Sequence, residues 1–276
     1  FILFILFSTL TLIERFYLHK SYVVSDRLFL ILLNPLLVTQ YIVDAHSDAI
    51  MMFFVILTYW AYFAAEKRVL ASIFLLFSIL TKVSAVLFVW WVGLLLLRDM
   101  VSKKMSRGEL LTSLLCFIIS AGWLIWDTKK VMDEYSRFIW NSLFSFLHYL
   151  TTLKVLNLKT FGYLFVILRV LWVAGSLVIV LYFVHRLFSG KGNYKRENED
   201  LLTAGVLAVV IVQMLYYTIA ANFVAPWYVA GVFLLTLLLS SRRYVFCQMS
   251  VYTAGAVASV MDFSPFSQWI AGIVVF

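Results

Sequence analysis

The amino-acid sequence predicts an all-α, polytopic transmembrane helical bundle of about 9–11 membrane segments, including a short helical hairpin near Lys82. Three observations carry that prediction. Hydrophobic residues make up 64% of the chain and charged residues only 13%, whereas soluble domains hold about 45–50% and about 25%. The mean hydropathy is +0.98, more apolar surface than a soluble core of this length could hide. The apolar residues also fall in runs near membrane-crossing length, separated by short charged clusters.

In chain order the runs are 1–13, 28–43, 48–65, 69–97, 109–126, 160–182, 201–220, 226–240, 244–261 and a partial run 264–276. A ~30 Å hydrocarbon core takes roughly 20 residues to cross. The run 69–97 is too long for one comfortable crossing and short for two. Charge separates these two readings, because Lys and Arg resist translocation and collect in cytoplasmic loops. With a hairpin turning near Lys82, the loops 14–27, 66–68, 98–108, 186–200 and 241–243 share one side and hold 15 of the 22 Lys and Arg residues. A single pass would carry the basic clusters 98–107 and 191–196 to the other side. The hairpin is therefore expected, with all five loops cytoplasmic. Its tip must be buried in protein or face a wet cavity, since irregular backbone is not tolerated against lipid. The net charge of +8 has the same origin, so no nucleic-acid partner is expected.

The whole chain, 1–276, reads as a single transmembrane domain, with 127–159 as an extracytoplasmic or interfacial segment. Within that segment the aromatic stretch 138–150 is expected to lie along the membrane surface. Residues 190–200 form the one clear hydrophilic linker. Phe1 and Phe276 both lie inside apolar runs, so the chain reads as a fragment truncated at the N-terminus and also at the C-terminus. No signal-peptide pattern precedes the first run. Cys116 and Cys247 offer neither a disulfide framework nor metal spacing, and are expected to be small packing residues.

The extracytoplasmic side receives the turn Asp44-Ala45-His46-Ser47-Asp48, the Lys82 tip and the segment 222–228. Two carboxylates and an imidazole within five residues suit acid–base work, a grip on sugar hydroxyls or a divalent cation. Ser47 or Asp48 could instead cap the helix that follows, which would leave Asp44 and His46 unexplained. Lys82 places an ammonium within an apolar run, at a cost on the order of 3 kcal/mol at a helix centre. Phosphate is a natural partner for such a point charge, and a structural ion pair or snorkelling is the plainer account. Arg169 needs a partner from another helix or a lipid phosphate. Pro226-Trp227-Tyr228 fits both a helix start in an aromatic belt and a platform for sugar rings. The outer-loop acids Asp133 and Glu134, near His148, read first as a solvated face.

Taken in order, Asn34-Pro35-Leu36, the turn ending in His46-Ser47-Asp48, Leu80-Thr81-Lys82 and the late Pro226-Trp227-Tyr228 resemble the GT-C superfamily of integral-membrane glycosyltransferases. The likeness spans roughly 30–97 and 220–240 and is nearest to the polyprenol-phosphate-mannose-dependent α-mannosyltransferases and their bacterial relatives. The turn departs from the family pattern in carrying Ser47 where relatives often have Asn, and in placing Ala45 between Asp44 and His46.

The resemblance implies a multi-pass mannosyltransferase or similar glycosyltransferase that uses a polyprenyl-phosphate sugar donor at the extracytoplasmic face. It implies inversion at the anomeric carbon, with an acidic base. Asp48 and Asp44 would be the catalytic carboxylates, and His46, Lys82, Trp227 and Tyr228 the substrate-binding residues. A principal catalytic acid of this family lies in an outer loop that would precede Phe1. No cofactor is assigned and no metal ligand is named, although the acidic turn would accept a divalent cation. The acceptor would be a glycan, lipid or protein, and the host bilayer a bacterial cytoplasmic membrane rather than the endoplasmic reticulum. The rival reading is a secondary transporter or flippase, which also uses broken helices and intramembrane charge but usually shows repeated halves. No internal repeat is visible here. A third reading, a membrane scaffold, would make the polar residues caps and anchors.

Overall fold

The computed structural model describes residues 48–135, 153–189 and 194–216, together with positions 8, 11, 147, 150, 151, 231, 232, 234–236 and 238. Its elements are α1 (Asp48–Phe63), α2 (Arg68–Thr81), a 3-10 turn (Val83–Ala85), α3 (Val86–Val101), α4 (Arg107–Tyr135), α5 (Leu158–Ser189) and α6 (Tyr194–Leu215). No strand occurs among the described residues, so the fold is all-α as the composition required. Val83–Val101, Arg107–Asp127 and Leu158–Tyr182 are long and apolar enough to cross a membrane. Asp48–Phe63, Arg68–Thr81 and Asp200–Gln213 are apolar but shorter. The expected runs 1–13, 28–43, 226–240, 244–261 and 264–276, and the surface stretch 138–150, lie largely or wholly outside the described residues.

The 69–97 run does break at Lys82, without Pro or Gly. Ser78 and Thr81 donate their hydroxyls back to the carbonyls of Leu75 and Phe77, at 2.7 and 2.8 Å, a local competition that weakens the last turn of α2. Lys82 then leaves the helix in extended geometry, φ −161° and ψ 128°. The break leaves no backbone debt among these groups. The Lys82 amide still donates to Ser78 O, and the Ala85 amide closes the 3-10 turn on Lys82 O. Ala85 is fully buried at the tip, and Lys82, Val83 and Ser84 are partly buried.

Contacts at the other end show that the chain doubles back. Arg68, at the start of α2, donates through Nε to Asp99 Oδ2 near the end of α3, at 2.7 Å. Tyr62, at the end of α1, donates its hydroxyl to the same oxygen at 3.0 Å. Arg98 adds a longer 3.4 Å contact to Asp99 Oδ1. The ends of α1 and α3 and the start of α2 therefore share one pole of the bundle, and the Lys82 tip lies at the opposite pole with the start of α1. The basic turns 66–68 and 98–108 occupy the first pole together, as the charge count anticipated.

Asp99 is the hinge of this pole. It is buried, with two guanidiniums and a phenol converging on it. Removing one partner of a buried pair typically costs about 3–5 kcal/mol, because the remaining charge is stranded. Asp99→Ala is therefore expected to lower the thermal unfolding midpoint in detergent well below that of Glu66→Ala, an exposed carboxylate of the same pole. Equal midpoints for the two variants would dismiss the network as decoration.

Local signals set the remaining boundaries. Lys103 takes a left-handed φ of 53° after α3, and the Lys103 and Lys104 amides bond back to the Met100 and Asp99 carbonyls in a Schellman arrangement. Ser106 and Glu109 form a reciprocal capping box at the start of α4, at 2.7 and 3.3 Å. Asn157 caps α5 by accepting the Thr160 amide at 2.7 Å. Several helices outrun their apolar runs, α5 among them, which ends at Ser189 past the run 160–182. α4 continues to Tyr135, into the segment read as a surface stretch from 127, and α6 starts at Tyr194, inside the expected linker 190–200. Lys, Arg and Glu are good helix formers, so polarity marks where lipid ends and not where the helix does.

The core joins α1, α2, α3 and α6 around Met51, Met52, Ile56, Tyr59, Phe88, Trp91 and Leu95. The Tyr59 hydroxyl reaches the Phe88 carbonyl at 2.9 Å. α4 packs on α2 through a 2.8 Å hydrogen bond between the Ser72 and Ser113 hydroxyls. Its outer face, with Leu111, Leu115, Ile118 and Trp126, is exposed, as is most of α5. Apolar side chains on that scale suit lipid tails rather than water. Cys116 is buried, in keeping with a packing role, and Cys247 lies outside the described residues.

Candidate active site

The sequence singled out Asp48 and Lys82 for different reasons, and the fold brings them together. Lys82 Nζ lies 2.7 Å from Asp48 Oδ2. Asp48 opens α1, where the helix dipole favours a carboxylate. Its side chain turns to the lysine at the break between α2 and the 3-10 turn. The carboxylate is about 1% exposed and the lysine side chain 22%, so the lysine is the more open member of the pair. The plainer account of Lys82 is thus realised, a structural ion pair, and Asp48 is more than a helix cap. Each charge makes the other tolerable at this depth.

Ser84 Oγ approaches Met51 Sδ at 3.5 Å, and the buried residues Met52, Phe88 and Ala85 lie on the same elements. A charged pair within such a lining keeps a stronger field than it would in water. The arrangement can hold an anionic group against the ammonium while a carboxylate waits beside it.

Asp44, His46, Trp227 and Tyr228 lie outside the described residues, as do Ser47 and His148. Among the described residues no group of three or more His, Cys, Asp and Glu side chains is placed to hold a metal ion. Arg169 finds an aromatic partner within its own helix, its guanidinium 4.0 Å above the Phe165 ring one turn earlier. Sequence reasoning missed the Tyr62–Arg68–Arg98–Asp99 network, having counted its charges as loop residues. The available signal was Asp99 itself, an acid directly after an apolar run and beside a cation.

The fold and this pair define a helical membrane protein with a charged site at a helix break. Residues 3–98 match a family model described as alpha-(1->6)-mannopyranosyltransferase, N-terminal domain. The match includes both Asp48 and Lys82 and supports a mannosyltransferase, hence a glycosyltransferase enzyme. No curated protein and no solved structure matches the chain.

Proposed function

We propose that the protein transfers mannose, or a similar hexose, from a polyprenyl-phosphate donor to a glycan, lipid or protein acceptor at the extracytoplasmic face of a bacterial cytoplasmic membrane. The observation that carries the proposal is the part-buried Asp48–Lys82 pair at a backbone break, within the matched region. A lipid phosphate sits at the membrane boundary, where an ammonium on the partly open side of a helical wall can meet it. Charge grows on the phosphate oxygens as the bond between the anomeric carbon and the phosphate oxygen breaks, and a fixed cation stabilises that growth. Phosphate competing for Lys82 would loosen its hold on Asp48 and free a carboxylate to take the proton of the attacking acceptor hydroxyl. Attack opposite the leaving phosphate inverts the anomeric centre. Asp44 would be the second carboxylate, with His46, Trp227 and Tyr228 orienting the sugar and the acidic turn open to a divalent cation.

The test is direct. Full-length protein reconstituted in vesicles should pass radiolabelled mannose from polyprenyl-phosphate mannose to a lipid or glycan acceptor, and should ignore nucleotide-linked mannose. Transfer from the nucleotide sugar alone would end the lipid-donor proposal. Movement of the intact lipid-linked sugar across the vesicle, with no bond broken, would establish the transporter instead. A broken helix with a buried charge suits that rival too.

A further inference from the structure

Gln213 is fully buried in α6, and among the described residues neither its amide nitrogen nor its amide oxygen has a hydrogen-bond partner. Burying an amide with nothing to bond is strongly unfavourable, most of all where lipid replaces water. The residue shares a helix face with Val206 and Val209, both in the core.

Two sets of contacts fix its level. The Trp91 indole donates to the Leu201 carbonyl at 3.1 Å and lies against Gly205. Gln213 follows Gly205 by about 12 Å of α6, and Val83 precedes Trp91 by about 13 Å of the 3-10 turn and α3. α5 and α6 run antiparallel, because Trp172 donates to the Val212 carbonyl at 3.4 Å and its ring lies tilted 5.1 Å from that of Tyr216, while Ser189 and Tyr194 are close in sequence. Lys195 and Arg196, in the first turn of α6, thus lie at the end of the pair away from Gln213. Grouped with the other basic turns by the positive-inside rule, they leave Gln213 at the pole that holds Lys82.

We propose that Gln213 is a further wall of the Asp48–Lys82 site, and that its carboxamide hydrogen-bonds neutral hydroxyls of the donor's sugar ring. The inference rests on the transferase proposal above. A carboxamide offers a donor and an acceptor side by side and no charge, which matches adjacent hydroxyls of a pyranose. Phosphate recognition stays with Lys82.

Gln213→Leu keeps the size and removes both polar atoms. Its thermal midpoint should equal or exceed that of the parent, since an unmet amide is lost. Its affinity for polyprenyl-phosphate mannose should fall about 10- to 100-fold, while its affinity for polyprenyl phosphate without the sugar should not change. Failure of the parent protein to bind the mannosylated lipid would overturn the transferase proposal itself. Normal binding by the parent, with the variant binding both lipids equally well, would overturn the role of Gln213 alone. A variant that lost both lipids together, or unfolded at a lower temperature, would make Gln213 a structural residue and also overturn the assignment.

Discussion

Lys82→Met is expected to remove both stability and sugar transfer, and adding Asp48→Asn should restore only the stability. The single change strands a carboxylate that is about 1% exposed, a loss of about 3–5 kcal/mol for a broken buried pair. The double variant carries no stranded charge. Buried pairs replaced by neutral groups of similar volume are often no less stable. Its unfolding midpoint in detergent should therefore return close to that of the parent. Transfer from polyprenyl-phosphate mannose should stay depressed by about 10²–10³-fold in both variants, the usual effect of removing one group that stabilises transition-state charge. A thermodynamic cycle over the four proteins separates the pair's coupling from its chemistry. Parental turnover in the stable double variant would reduce Asp48 and Lys82 to a structural clasp.

The second large effect concerns the seam between α3 and α6. A Cβ on Gly205 would fall inside the Trp91 indole, which is fully buried and bonded to the Leu201 carbonyl. Helix propensity alone would make Gly205→Ala stabilising by about 1 kcal/mol. The expected sign is the reverse, a loss of about 3 kcal/mol from overpacking and displacement of the indole. Trp91→Leu should be destabilising in the parent yet tolerated better alongside Gly205→Ala, because the smaller side chain relieves the clash. Thermal unfolding of the three variants gives the coupling. A Gly205→Ala protein as stable as its parent would mean that the two helices do not approach this closely.

What could be read from the chain and what could not divide along physical lines. Apolar runs reveal lipid-buried helix because burial in hydrocarbon demands a continuous stretch, so α3, α4 and α5 were legible. The break at Lys82 was legible because an ammonium inside such a run needs a reason, and its meeting with Asp48 followed from placing both at one pole. The ends of α4 and α6 were not, since Asp127 and Tyr194 mark a change of solvent that a helix can ignore. Nor was the burial of Asp99 and Arg98, because a charge at the end of an apolar run looks the same whether it faces water or its own kind. Gln213 was visible as one amide among apolar neighbours, but only its lack of partners in the fold gives it weight. The convergence of Asp44, His46, Trp227 and Tyr228 on the Lys82 pole remains part of the proposal, and the Asp48–Lys82 pair is its anchor.

The shortness of α2 has a consequence for depth. Fourteen residues rise about 21 Å, against ~30 Å of hydrocarbon. On the proposed topology, with the Arg68–Asp99 end at one boundary, Lys82 would stop ~9 Å below the opposite surface even with the helix upright. The sixteen residues of α1 would then set Asp48 at nearly the same depth. On the transferase proposal, the donor keeps its polyprenyl tail among acyl chains while its phosphate and sugar sink beneath the headgroup plane. The bond would then break at the floor of a dimple in the leaflet. The thickness of the host bilayer would set how far the sugar descends to reach it.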